Sequence, residues 1–103
     1  LSLQPDKHSL QMALHIREGA DALARGFAHL ATDPGGAGVE ANAALKAERT
    51  SEKAYRRAIV ELFEGEDYLN MFKRRETYRH MSNAADRVAD AARALNNIVV
   101  KLC

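Results

Sequence analysis

Cysteine, proline and aromatic residues are scarce in this chain of 103 residues. Its one cysteine, Cys103, cannot form an intrachain disulfide bond, so the chain suits a reducing compartment and we expect a cytoplasmic protein. No apolar run approaches the roughly 20 residues that a transmembrane helix needs, and no signal-peptide pattern is present. Because the sequence begins at Leu1 rather than at a methionine, we expect it to be part of a longer polypeptide.

The net charge of the chain is close to zero. Lysine and arginine together number 15 and aspartate and glutamate 14, which gives a net charge of +1. A chain without an excess of either sign has no compositional reason to bind nucleic acid or an anionic membrane surface. Hydrophobic residues make up 47% of the chain and charged residues 28%, as in ordinary soluble proteins. These values predict one small domain over residues 1–103, without nucleic acid as a partner.

Glycine and proline divide the chain into three long segments. The breakers are Pro34 with its neighbouring glycines, in the run TDPGGAG, and later Gly65. Between them alanine is abundant and β-branched residues are few, a composition that favours helix. We therefore predict three helices, over residues 6–31, 39–64 and 67–102.

The ends of these helices carry recognisable signals. Pro5 or Asp6 should start the first helix, because proline is tolerated in a first turn and aspartate accepts hydrogen bonds from free amides there. Gly65 should stop the second helix. Asp67 should cap the third helix in the same way as Asp6 caps the first.

Apolar residues recur every three or four positions in each segment, as on an amphipathic helix. On the first helix they are Met12, Ala13, Ile16, Ala20, Leu23, Phe27 and Leu30. On the second they are Tyr55, Ala58, Ile59, Leu62 and Phe63, and on the third Tyr78, Met81, Ala85, Val88, Ala92, Leu95, Val99 and Leu102. Three such helices with short links predict an all-α fold, an antiparallel three-helix bundle. We expect six of their side chains to be buried: Leu23, Phe27, Ile59, Leu62, Val88 and Leu95.

A glutamate interrupts the apolar face of the second helix. Glu48 lies in line with Tyr55, and Glu52 lies one turn further along. Asp86 and Asp90 form a second pair with the same spacing, and like charges four residues apart repel each other. Two explanations stay open: basic side chains and solvent neutralise the carboxylates, or the carboxylates converge on a cation. Since antiparallel packing brings the middles of helices together, we expect Glu48 and Glu52 to approach Asp86.

The sequence contains none of the common catalytic or cofactor-binding motifs. There is no glycine-rich phosphate loop, no Gly-x-Ser-x-Gly and no Cys-x-x-Cys, and Cys103 stands alone at the end. Glu-x-x-His, which joins carboxylates in di-metal helical bundles, is also missing, since Glu76 and His80 are four residues apart. We therefore predict that the protein is not an enzyme.

Residues 48–101 combine several short features. In chain order they are Glu48 with Glu52, Leu62-Phe63, an acidic link from Glu64 to Asp67, Lys73 with Glu76 and Tyr78, Asp86-Arg87 with Asp90 and Ala92, and Ile98-Val99 with Lys101. Together they resemble the last half of the PhoU-like phosphate transport regulators. These are distant relatives of PhoU and are often encoded beside a Pit-type inorganic phosphate transporter. The first helix adds only a compatible amphipathic pattern.

The resemblance implies a three-helix bundle that is one of two repeats, so the chain would be a half-length piece of a PhoU-like protein. It implies a non-enzymatic regulator of inorganic phosphate transport or phosphate homeostasis. The expected partner is a phosphate transporter or an associated sensor protein, with the membrane reached only by way of the transporter. Half of a two-bundle protein exposes the surface that its other half covers, so we expect a homo-oligomer with contact through Ile98, Val99 and Leu102.

The resemblance also implies metal binding, because PhoU relatives carry acidic motifs that bind metal clusters on the bundle surface. By position, these motifs fall on Glu48 with Glu52 and on Ser82 with Asp86. Glutamate replaces the expected aspartate at Glu52, and Ser82 replaces a carboxylate, which removes an anionic ligand. We predict a site for a divalent or ferric ion formed by Glu48, Glu52, Asp86 and Asp90. The alternative is a general helical interaction or dimerisation module with no metal site.

Overall fold

Three helices account for almost all of the residues that the structure describes. The computed structural model describes residues 6–65 and 67–103, and within those residues it contains no strand. The helices are α1 (Lys7–His29), α2 (Pro34–Leu62) and α3 (Tyr68–Leu102). The all-α fold predicted from the sequence is confirmed. Pro5, one of the two residues predicted to start the first helix, lies outside the described residues.

An aspartate caps the start of each helix. The side chain of Asp6 accepts a hydrogen bond from the Ser9 amide at 2.8 Å, and Asp67 accepts one from the Asn70 amide at 3.1 Å, as predicted. Asp33 does the same for α2, where it accepts from the Gly36 amide at 3.0 Å. This cap, followed directly by a proline in the first turn, starts α2 at Pro34. The prediction of a loop up to residue 38 was therefore wrong, because the cap outweighs the low helix propensity of the glycines.

The helices run up, down and up. Gly19 in the middle of α1 lies against Ala44 of α2, whereas Gly26 near its end lies against Ala37 near the start of α2. α1 and α2 are therefore antiparallel. The two positions Gly19 and Gly26 face Val88 and Leu95 of α3 in the same order along the chain, so α1 and α3 are parallel.

Polar contacts between α2 and α3 confirm the antiparallel order. Asn96 Nδ2 donates to Asn42 Oδ1 at 3.4 Å, and Ser82 Oγ donates to Glu52 Oε2 at 3.4 Å. The bundle is a rod with principal extents of 54 × 20 × 15 Å. Within the described ranges, no helix combines the length and the hydropathy needed to cross a membrane.

Alanine dominates the core. The buried face of α2 consists almost entirely of small residues: Ala37, Ala41, Ala44, Ala47, Ser51, Ala54, Ala58 and Leu62. Such residues let neighbouring helices approach closely, although each buries little apolar area. Two larger side chains, Met12 and Leu95, are fully buried among them. The core therefore depends on a few large side chains set against a surface of alanines.

The buried face of α1 differs from the predicted one by about one position. Gly19 and Gly26 face the core, whereas Ala13 and Ala20 are exposed and Phe27 is 46% exposed. The prediction that Phe27 is buried was wrong, because the glycines were counted only as weak helix formers. In the bundle the two glycines leave room for side chains of α3, which would collide with a Cβ at either position. Of the other five expected core residues, Leu23, Leu62 and Leu95 are buried, and Ile59 and Val88 are partly buried.

Candidate functional site

Glu48 does not point into the core. The buried face of α2 is centred on Ala44, Ala47 and Ser51, so Glu48 and Tyr55 lie on the flank of that face and are only partly buried. The sequence pattern suggested that Glu48 faces the core, because Glu48 is aligned with Tyr55 at the edge of the apolar stripe. The small residues Ala44, Ala47 and Ser51 mark the true centre of the buried face.

The negative charges of three carboxylates interact on the side of α2 that faces α3. Burial raises the pKa of Glu48, and the negative charges of Asp86 and Glu52 raise it further. Arg93 and Arg49 act in the opposite direction without cancelling the shift. The expected approach of Glu48 and Glu52 to Asp86 is consistent with this coupling. We call Glu48, Glu52 and Asp86 the acidic cluster.

The acidic cluster falls short of a preformed metal centre. Ser82 Oγ donates to Glu52 Oε2 at 3.4 Å, so the serine already occupies one oxygen of a predicted ligand. Asp90 stays 76% exposed and accepts a hydrogen bond from Arg93 Nη1 at 3.2 Å. In the part of the chain that the structure describes, no three His, Cys, Asp or Glu side chains are arranged to hold a metal ion. The metal site at Glu48, Glu52, Asp86 and Asp90 stays a prediction.

A polar cleft of about 280 Å³ opens at the end of the bundle where α1 and α3 begin and α2 ends. The Tyr78 hydroxyl donates to the carboxylate of Asp6, which also pairs with Arg74 at 3.1 Å. His8 Nε2 donates to Glu61 Oε2 at 2.6 Å. These contacts join all three helices at one end.

The pKa values of Tyr78 and Asp6 are shifted in opposite directions in this cleft. Burial and the hydrogen bond to Asp6 raise the pKa of Tyr78 to about 12. Burial raises the pKa of Asp6, but hydrogen bonds from Tyr78 and Ser9 and the charge of Arg74 outweigh it and lower the pKa overall. Tyr78 therefore stays protonated and Asp6 ionised at neutral pH. Neither group is poised to transfer a proton, since a general acid or base works best with a pKa near the working pH.

The sequence pattern did not predict this cleft. Asp6 was recognised as a cap and Tyr78 as a core residue, and both assignments are correct as far as they go. Their hydrogen bond joins residues that are 72 positions apart, which no local pattern reveals. His8 is buried, yet its Nδ1 has no hydrogen-bond partner among the described residues.

An exposed aromatic surface lies beside the cleft. Phe63, Tyr68, Met71, Phe72 and Arg75 surround a shallow cavity of about 170 Å³, and we call this surface the aromatic shelf. Tyr68 is 78% exposed and Phe72 is 59% exposed. Phe63 was predicted to continue the apolar face of α2, which was wrong because α2 ends at Leu62 and that leucine completes the core.

Comparison with known proteins gave no relative. No protein-family model, curated protein or solved structure significantly matches this chain. The resemblance to PhoU-like regulators therefore rests on the residues between Glu48 and Lys101 alone. Any function has to be argued from those residues and from the surfaces of the bundle.

Proposed function

We propose that this chain is a non-enzymatic helical regulator of inorganic phosphate transport or phosphate homeostasis that acts by binding another protein. The proposed partner is a phosphate transporter or an associated sensor protein. Any association with a membrane would come by way of that transporter. Self-association through the end of α3, where Val100 and Leu102 are exposed, belongs to the same proposal.

The aromatic shelf is the observation that carries the protein-binding part of this proposal. Large exposed apolar side chains gather there, and Phe63, Tyr68 and Phe72 are each more than half exposed. Contiguous apolar surface on a soluble domain typically marks a binding site, because leaving it in water is unfavourable. Aromatic residues and arginine are also the residue types that contribute most to protein interfaces.

The phosphate setting is supported by the resemblance of residues 48–101 to PhoU-like regulators. The alternative is a general helical interaction or dimerisation module with no metal site. The phosphate regulator and the general module would both use the aromatic shelf as a binding surface, and they differ in the partner that binds there.

Phosphate uptake separates these two functions. We expect cells of the encoding organism that lack this chain to show altered uptake of labelled phosphate, and wild-type protein to restore it. Phe72→Ala should fail to restore uptake, because it removes a large apolar side chain from the shelf. Leu69→Ala is the matched control, since Leu69 is similarly exposed but does not line the shelf cavity. Uptake that is indifferent to loss of the chain would contradict the phosphate setting and leave the general module.

Cation binding at the acidic cluster is the second part of the proposal. After burial, the largest effect on the pKa of Glu48 is the negative charge of Asp86, followed by that of Glu52, and both raise it. A bound cation would relieve this repulsion between the carboxylates. Ser82 in place of a carboxylate argues for low affinity. A divalent or ferric ion would therefore be held weakly, by Glu48, Glu52 and Asp86, with Asp90 at the margin.

Glu48→Gln tests this electrostatic account. The native pKa of Glu48 lies above its ordinary value of 4.5, so the native state favours the protonated form and the charged form lowers stability. That penalty is present at pH values above the native pKa and vanishes below the ordinary one. We expect Glu48→Gln to stabilise the protein at neutral pH by a few tenths of a kcal/mol. Thermal melts should show no such gain under acidic conditions, where the wild-type carboxyl is already neutral.

Thermal melts with added cation test whether the acidic cluster binds a metal ion. A divalent or ferric ion that binds only the folded chain should raise the melting temperature of the wild type at high micromolar concentration or above. Glu48→Gln combined with Asp86→Asn should abolish that rise, whereas Asp90→Asn should keep most of it, because Asp90 pairs with Arg93. Equal responses of wild type and double variant would rule out the cluster as the binding site.

A further inference from the structure

A regular stripe of residues runs along the solvent-facing side of α2. It consists of Arg49, Lys53, Arg56 and Val60 on α2 and of Phe63, the residue directly after the helix; they are spaced four, three, four and three residues apart and are all exposed. Residues with that spacing share one face of a helix. The stripe begins with three cations and ends with two apolar residues. We call it the outer stripe.

The cations of the outer stripe make no salt bridge with any described residue. Three other exposed arginines do: Arg17 pairs with Asp21, Arg79 with Glu76 and Arg93 with Asp90. Arg57, beside the stripe on α2, and Arg75, on the aromatic shelf, also form no salt bridge within the described parts of the chain. Five cations are thus left facing solvent on adjoining surfaces of α2 and α3.

The outer stripe leads directly onto the aromatic shelf, since Phe63 belongs to both. From Arg49 to Phe63 the stripe extends for about 20 Å at the 1.5 Å rise of a helix. A partner helix laid along it would present acidic residues at the same three-and-four spacing opposite the cations. One large apolar side chain near its end could enter the shelf cavity of about 170 Å³.

Two glutamates argue against a lipid or nucleic-acid surface as the occupant. Glu61 and Glu64 line the same end of α2 together with Arg56, Arg57 and Val60. A continuous array of phosphates would meet these carboxylates as well as the arginines, and phosphate-binding surfaces gain affinity from uninterrupted positive charge. A protein helix can place a neutral or basic residue opposite each glutamate.

We propose that the outer stripe and the aromatic shelf together form the docking site for an acidic amphipathic helix of a partner protein. This inference rests on the proposed protein-binding function and specifies the chemistry of its partner. The cations and their three-and-four spacing favour an acidic helix as the partner. The aromatic shelf determines the direction of that helix, because it binds an apolar side chain at one end only.

Fluorescence anisotropy with designed helical peptides tests the charge preference. The first peptide carries glutamate at the three-and-four spacing and a leucine near one end, the second has glutamine in place of every glutamate, and the third has lysine. The acidic peptide should bind about tenfold more tightly than the glutamine peptide, and added salt should narrow that gap. Equal binding of the acidic and glutamine peptides overturns the proposal.

Matched variants locate the binding surface. Arg56→Glu should weaken binding of the acidic peptide about fivefold or more, whereas Arg87→Glu should not change it. Arg87 is the control because it is exposed on α3 and forms no salt bridge in the described parts of the chain. Phe72→Ala should weaken binding of both the acidic and the glutamine peptide, and Leu69→Ala should leave both unchanged. Equal effects within either pair of variants contradict the proposed surface.

Other occupants give different results. Binding of vesicles containing anionic lipid, or of duplex DNA, that exceeds peptide binding and falls with Arg56→Glu would replace the acidic helix by a phosphate surface. Self-association in sedimentation that is lost with Phe72→Ala would make a second copy of this chain the occupant. If both peptides bind through Phe72 without charge preference, the partner chemistry is wrong but protein binding stands. If no peptide binds and Phe72→Ala also leaves phosphate uptake unchanged, both proposals fail.

Discussion

Leu95→Ala should lower the free energy of unfolding by about 2–5 kcal/mol. Leu95 is 0% exposed and belongs to the cluster in which the buried residues of α2 are all alanines, among them Ala37 and Ala41. Alanine side chains have no rotamers with which to fill the space that the leucine leaves. The cost should therefore lie in the upper part of the range, because it rises with the volume of the remaining cavity.

Urea unfolding followed by circular dichroism measures this effect. Leu69→Ala is the control, since Leu69 lies on the same helix but is 63% exposed. That variant should change stability by less than about 0.5 kcal/mol. Similar losses in the two variants would mean that Leu95 is not the centre of the core, and the packing described here would be wrong.

Gly26→Ala should destabilise the bundle by about 1–3 kcal/mol, although alanine is the better helix former by roughly 1 kcal/mol. A Cβ at this position would lie 2.6 Å from Leu95 Cδ2 and 3.2 Å from Glu40 Cβ. Leu95 cannot move aside freely because it is fully buried, so α1 would have to separate from its neighbours. The steric cost should exceed the gain in helix propensity.

Gly35→Ala supplies the comparison, because the substitution is chemically identical and the site is open. The nearest atom to an added Cβ there is Asp33 Oδ1 at 3.8 Å. We expect thermal melts to show a neutral or slightly stabilising effect at Gly35 and a clear loss at Gly26. A stabilised Gly26→Ala protein would show that the close approach of the helices is not needed.

Local signals in the sequence were sufficient to predict the helices. Asp6 and Asp67 could be recognised as caps because a cap depends only on the next few residues. The start of α2 at Pro34 was not predicted. Pro34 and the three nearby glycines are typical of a loop, and only the Asp33 cap favours a helix there. Local chemistry thus predicted the elements and most of their ends.

Helix faces were harder to predict because alanine and glycine were undervalued. The sequence pattern ranked Phe27 above Gly26 as a core residue on hydrophobicity alone. In the bundle the smaller residue is buried and the larger one is exposed, since close approach of α1 to α3 requires the absence of a side chain. The position of Glu48 was misjudged for the same reason, because the small residues Ala47 and Ser51 define the buried face beside it.

Surface features depend on how the helices come together, and sequence patterns alone did not reveal them. The link between Asp6 and Tyr78 arises only when α1 and α3 pack side by side, and the gathering of Phe63, Tyr68 and Phe72 around one cavity depends on how the chain turns between α2 and α3. The acidic cluster was the exception. Antiparallel packing of two helices was enough to predict that Glu48 and Asp86 would influence each other, and the raised pKa of Glu48 agrees.

Site-specific photo-crosslinking in cells tests the central claim most directly. A photoreactive phenylalanine analogue at position 72 samples the aromatic shelf, and the same analogue at position 87 samples an exposed site on α3 that lies about 22 Å further along the helix, at 1.5 Å per residue. We expect position 72, and not position 87, to form an adduct with a phosphate transporter or its sensor, joined to an acidic helix of that protein. Adducts formed equally from both positions, or none from position 72, would contradict a regulator that docks through this surface.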